Sequence, residues 1–177
     1  MIIGITGKSG SGKNTYAEFL KQFDVNIAHI DFDVIGHRVL LQPRVKEELI
    51  KAFGETILEN DKIDRKKLAD LVFNNRENHD ILTQITWERM QNLIDSDIEN
   101  HIKNYETHVI LNWILLPKSK YLEKCDVKIL MKCPDDERYK RIHIRDKLTR
   151  EKFDERDSAS IEYDEKLFDY IIEGITI

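Results

Sequence analysis

The chain opens with Met1-Ile2-Ile3-Gly4-Ile5-Thr6-Gly7-Lys8-Ser9-Gly10-Ser11-Gly12-Lys13-Asn14-Thr15. The apolar run up to Thr6 has the length of one buried strand, and a helix is expected from Lys13 to about Gln22. Between them, Gly7, Gly12 and Lys13 satisfy the spacing G-x-x-x-x-G-K. Glycines in such a loop let backbone N–H groups turn inward around phosphates, and the helix N-terminus adds a favourable dipole. Gly10, Ser11, Gly12, Lys13, Asn14 and Thr15 are therefore the candidate contacts to ATP, with the Lys13 charge on its β- and γ-phosphates. The residue after the lysine should be Ser or Thr, whose hydroxyl ligates Mg²⁺. Here it is Asn14, whose amide oxygen can ligate the ion or hold one of its waters, and Thr15 is adjacent.

Outward from this loop, strands alternate with helices. Val25 to Ile30, His108 to Leu111, Val127 to Met131 and Tyr170 to Ile172 read as further strands. Val45, Leu49 and Phe53 suggest one helix, Leu68, Leu71 and Val72 another, and Trp87, Met90, Ile94 and Ile98 the shared face of a longer one. Pro134 is placed to open a further helix whose Asp135, Asp136 and Glu137 suit its positive end. The pattern predicts a three-layer α/β/α fold on a parallel five-stranded sheet with right-handed crossovers, in a single domain over residues 1–177.

Composition narrows the function. The 177 residues are 41% hydrophobic and 34% charged, as in a folded, water-soluble chain. A net charge of −5 without a long Lys/Arg run argues against nucleic acid as the main partner. Cys125 and Cys133 have no partners at zinc-site spacing and read as reduced thiols, and the histidines form no metal-ligand spacing. The N-terminus has no cationic leader, and no stretch reaches membrane-spanning length, so a cytoplasmic protein is expected.

Past the second strand comes Asp31-Phe32-Asp33-Val34-Ile35-Gly36-His37. Ligands of open α/β sheets gather at the carboxyl ends of strands, where this segment emerges. If strand geometry persists, Asp31 and Asp33 point the same way. One carboxylate can then take the acceptor's proton while the other organises magnesium water. The competing reading is a pair that only caps the next helix. His37 takes a supporting role. Farther on, Arg138, Arg141 and Arg145 stand at i, i+3 and i+7, on one side of the helix after Pro134, and Arg150, Lys152 and Arg156 continue the basic character. Such guanidinium groups can fold over a nucleotide as a lid, although the interspersed acids also fit ordinary charge pairs.

Taken together, GKSGSGKNT, IDFDVIGH, IDRKKLADLVFNN (63–75) and RIHIRDKLT (141–149) resemble the dephospho-coenzyme A kinase family over nearly the whole chain. The resemblance implies ATP-dependent phosphorylation of the ribose 3′-hydroxyl of dephospho-coenzyme A, with Mg²⁺ as cofactor. It also implies a helical substrate region over about 60–104 and a lid over about 141–160. Asp33 matches the family's general base, Lys13 its phosphate-binding lysine, and Arg141 and Arg145 the arginines at and beside the lid. Asp31, Asp33 and His37 are the substrate-side candidates, Arg141 joins Lys13 and Asp33 as catalytic, Arg145 binds ATP, and Asn14 is the candidate metal contact. The chain departs from the family at Trp87-Glu88, where His-Pro is expected, and at Asn112-Trp113-Ile114-Leu115-Leu116, where Asp precedes Pro-Leu-Leu. It also ends soon after Ile172, with no room for a terminal helix. Asn14 and Asn112 both stand where side chains near magnesium are expected, which leaves room for slow turnover or a differently held metal. Two other readings stay open: a (deoxy)nucleoside monophosphate kinase, and a catalytically weak nucleotide-binding protein. A monomer or weak oligomer acting on a small molecule is expected.

Overall fold

Strand β1 (Ile2–Thr6) occupies the middle of a five-stranded sheet. It is flanked by β5 (His108–Asn112) and β6 (Val127–Lys132), with β2 (Ile27–Asp31) outside β5 and β7 (Tyr170–Glu173) outside β6. Every pairing is parallel, in line with the expected sheet. The computed structural model describes residues 1–23, 26–73, 75–105 and 108–174. Val25, the expected start of β2, and Asn74, within the quoted 63–75 block, lie outside the described residues.

The helices are α1 (Lys13–Lys21), α2 (Phe32–Leu40), α3 (Pro43–Phe53), α4 (Arg65–Val72), α5 (Arg76–Tyr105), α6 (Asp135–Asp146) and α7 (Arg150–Ser158). A short antiparallel hairpin joins β3 (Leu58–Glu59) to β4 (Lys62–Ile63). Local chemistry accounts for the boundaries. Pro43 sits in the first turn of α3, Asp64 caps α4 through Lys66 and Lys67 amides, and Thr149 caps α7 through Lys152.

Contacts divide the chain into two compact units, residues 1–31 with 100–177 and residues 32–99. The expected helical region over 60–104 begins inside the second unit, which itself starts at Phe32. In the first unit, Ile3, Ile5, Ile110, Ile129 and Met131 project from the sheet onto Ala17, Tyr16 and Leu20 of α1. The second unit has its own core of Val39, Val45, Leu49, Ile57 and Leu68, joined by Leu82, Ile85, Met90 and Leu93 of α5. Full burial of a side chain such as Leu49 contributes about 2 kcal/mol of transfer free energy.

Two features differ from the sequence reading. Strand geometry does not persist through the Asp31–Asp33 pair: β2 ends on Asp31, and Asp33 falls in the first turn of α2. The hairpin was not anticipated, because two residues per strand leave no alternation to detect. Its turn residues Asn60 and Asp61 both have positive φ, 49° and 59°, which these residue types tolerate.

Candidate active site

The β1–α1 loop takes three positive φ values, at Gly7 (144°), Gly10 (78°) and Gly12 (96°). Space as well as backbone angle requires glycine here. A Cβ on Gly10 would stand 2.9 Å from the Arg138 carbonyl oxygen, and one on Gly7 would run into the Met131 carbonyl. Gly12 ends the loop in the left-handed conformation as the N-cap of α1, and no side chain caps the helix. Gly12 offers the first-turn amides of α1 no side-chain acceptor, and a phosphate can supply one. Lys13 Nζ donates to the carbonyls of Gly7 at 2.8 Å and Lys8 at 3.3 Å, which holds the ammonium against the loop. Ser11 is buried and its Oγ has no hydrogen-bond partner. Its Oγ stands 2.7 Å from where a Cβ on Gly7 would be, so glycine there also leaves room for this hydroxyl.

At the carboxyl ends of β2 and β5, Asn14 Nδ2 donates to Asp31 Oδ2 at 2.9 Å, and Asn14 Oδ1 accepts from Asn112 Nδ2 at 2.7 Å. Asn112 is buried and also approaches His29 Nε2 at 3.2 Å. The oxygen expected to serve a metal is therefore engaged by Asn112. The carboxylate beside it belongs to Asp31. Magnesium takes one or two carboxylates, substrate phosphates and several waters, and Asp31 next to the loop suits that donor set.

The three arginines of α6 stand in three different environments. Arg138 is buried, donating to Ser9 O at 3.1 Å and ion-paired with Asp135 at 2.8 Å and Asp157 at 2.7 Å. Arg141 is half-buried and its Nη1 donates to Gly10 O at 3.2 Å, beside the cradle. Arg145 is exposed and paired with Asp146. Helix α7 is tied to the loop through Asp157, which also meets Lys8 Nζ at 3.1 Å. Arg150 pairs with Asp136 and Asp154 and lies over the Tyr139 and Phe153 rings. In the second unit, Asp33 and His37 are exposed on α2, and Arg65 Nη1 lies 2.6 Å from His37 Nε2.

A family model described as dephospho-CoA kinase matches residues 1–173. The chain belongs to the dephospho-CoA kinase family. A dephospho-CoA kinase of Dehalococcoides mccartyi is 35% identical over 151 residues, 85% of this chain and 75% of that protein. Among solved structures, a protein of Thermus thermophilus superposes with a TM-score of 0.81 at 28% identity, covering 99% of this chain and 88% of the other. A dephospho-CoA kinase from Campylobacter jejuni gives 0.62 at 25% identity, covering 99% and 89%.

As a member of this kinase family, the chain is a P-loop enzyme of three-layer α/β/α fold, and its departures from the family pattern acquire locations. Trp87 is half-buried on α5, and Asn112 is buried at the end of β5. Sequence reasoning missed the roles of Asp157, His29 and Arg65. Asp157 and His29 act through contacts distant in the chain, and no motif marks them. Arg65 stood inside the quoted 63–75 block, but its partner His37 is 28 residues away.

Among the described residues no helix is long and apolar enough to cross a membrane, and no cluster of three or more His, Cys, Asp or Glu side chains could hold a metal ion.

Proposed function

We propose that this chain phosphorylates dephospho-CoA with ATP, giving CoA and ADP, and that the acceptor is the ribose 3′-hydroxyl. The supporting observation is the glycine cradle with Lys13, in a chain matched to the family over residues 1–173. In the transfer, the acceptor oxygen forms a bond to the γ-phosphorus while the bond from that phosphorus to the β,γ-bridging oxygen breaks in line. Asp33 takes the hydroxyl proton. The α1 amides and the Lys13 ammonium, released from the Gly7 and Lys8 carbonyls, bear the charge that moves onto the β-phosphate. Arg141, beside Gly10, steadies the transferring group, and Arg145 contacts the nucleotide once α7 and the end of α6 close as a lid over about 141–160.

Asp31 would hold magnesium or one of its waters, and the ion would supply charge neutralisation on the triphosphate. Asn14 contributes by carrying Asp31 rather than by offering its own oxygen. The region over about 60–104 receives dephospho-CoA, with His37 in a supporting place. The protein works in the cytoplasm as a monomer or weak oligomer, without nucleic acid.

A coupled ADP-release assay over dephospho-CoA, dAMP, dGMP and CMP tests this reading. Release stimulated only by dephospho-CoA is expected. Stimulation only by a monophosphate would make the chain a nucleotide kinase, and ATP binding without stimulation by any acceptor would make it a non-catalytic nucleotide binder.

A further inference from the structure

The two asparagines that replace side chains expected near magnesium are 98 residues apart in sequence and 2.7 Å apart in space. Parallel pairing of β2 with β5 sets Asp31 beside Asn112, and Asn14, in the first turn of α1, reaches both. The donor–acceptor sense of the contacts is fixed from one end. Asn112 Nδ2 carries two hydrogens, and both are used, one on Asn14 Oδ1 and one on His29 Nε2. His29 Nε2 is thus an acceptor, its Nδ1 carries the hydrogen, and that nitrogen faces Glu18 Oε1 at 3.3 Å. Asn14, with its oxygen turned to Asn112, can only turn its NH₂ to Asp31, and does so at 2.9 Å. A carboxylate at position 112 would face Asn14 acceptor to acceptor. It would turn the Asn14 amide over and set its oxygen against Asp31.

We propose that Asn112 is a positioning residue for magnesium. Working through Asn14, it orients the Asp31 carboxylate, so that the residue after the phosphate-binding lysine carries the metal's ligand instead of being one. The inference rests on the reading of Asp31 given above. Asn14 and Asn112 form one unit, and either is without purpose when the other is lost.

Binding of a fluorescent ATP analogue, measured in EDTA and across a Mg²⁺ titration, tests this without turnover. Asn14→Ala, Asn112→Ala, the double variant and Asp31→Asn are compared, with Mg²⁺ dependence of kcat as a second readout. Asn14 is exposed, so Asn14→Ala keeps the test standing if Asn112→Ala fails to fold. The expected result is a smaller loss of affinity in EDTA than with Mg²⁺, and a roughly tenfold higher Mg²⁺ requirement in Asn14→Ala and in Asn112→Ala, as for loss of one charge-assisted hydrogen bond. The double variant should be no worse than either single one. Equal losses with and without Mg²⁺, additive effects in the double variant, or an unchanged Mg²⁺ requirement would overturn the inference. If Asp31→Asn shifts the requirement and Asn14→Ala does not, the inference alone falls. If Asp31→Asn shifts nothing, the reading of Asp31 falls with it.

Discussion

Arg138 of α6 and Asp157 of α7 form an ion pair of 2.7 Å beneath the phosphate loop, with the arginine almost wholly buried at 1% exposure. The same guanidinium donates to Ser9 O, and the same carboxylate reaches Lys8, so this pair ties two helices to the loop that must hold ATP. Removing the arginine leaves the largely buried Asp157 carboxylate with Lys8 in place of two cationic partners. Arg138→Ala should therefore lower stability by about 3 kcal/mol, toward the lower end for a buried pair because Asp157 keeps some solvent contact. Thermal unfolding checks this, and a loss below about 1 kcal/mol would mean that the pair acts as an ordinary surface contact.

The pair also carries a pH signature. Burial opposes the Asp157 charge, but hydrogen bonds from Arg138 and Lys8 prevail and hold its carboxyl below the ordinary 3.8. A depressed folded pKa contributes stability that is complete above the unfolded value and is lost as pH falls through the folded one. The melting temperature of Asp157→Asn should thus fall less steeply than that of wild type below pH 3.8. Equal acid slopes in the two proteins would contradict this.

Phosphate binding and proton removal should separate in mutants. Asp33→Asn is expected to lower turnover by roughly 10²–10⁴-fold, as for loss of a general base, with ATP affinity nearly unchanged. Lys13→Ala should weaken ATP binding and lower kcat by at least about 100-fold. Steady-state kinetics with a separate nucleotide-binding measurement distinguishes them, and loss of ATP binding in Asp33→Asn would show that its role is misassigned.

Gly10→Ala places a methyl group 2.9 Å from the Arg138 carbonyl oxygen at a φ of 78°. Strain of about 1–3 kcal/mol at the cradle should weaken ATP binding tenfold or more while the sheet stays folded. Isothermal titration alongside circular dichroism is the check, and wild-type affinity would show that the loop accommodates a side chain.

The two thiols should differ in reactivity. Cys125 is buried, burial pushes its thiol up to about 12, and its Sγ donates to Tyr121 O at 3.2 Å, whereas Cys133 is half-buried. A thiol reagent at neutral pH should modify Cys133 in the folded protein and Cys125 only after denaturation. Mass mapping that finds Cys125 modified first would contradict this.

Much of this architecture was legible from residue order because its strands are continuous apolar runs and its loop obeys a spacing rule. Ile3 and Ile5 could be assigned to the core, and Lys13 to phosphate, with no knowledge of partners. What stayed hidden depends on distant pairings. A spacing of three and seven sets Arg138 and Arg145 on one side of a helix, but burial of one and exposure of the other follow from Asp157 and Ser9, which that spacing does not contain. The Asn14–Asn112 contact joins α1 to β5 across 98 residues, and α2 begins at Phe32, where a continuing strand was equally compatible with the residues.

The central claim is tested most directly by the product itself. The purified chain is incubated with ATP, Mg²⁺ and dephospho-CoA, and the acceptor is analysed by mass spectrometry and phosphorus NMR. One added phosphoryl group, seen as a new monoester on the ribose 3′-oxygen with one ADP formed per acceptor, is the predicted result. Unmodified dephospho-CoA, or a phosphoryl group on another oxygen, would contradict it.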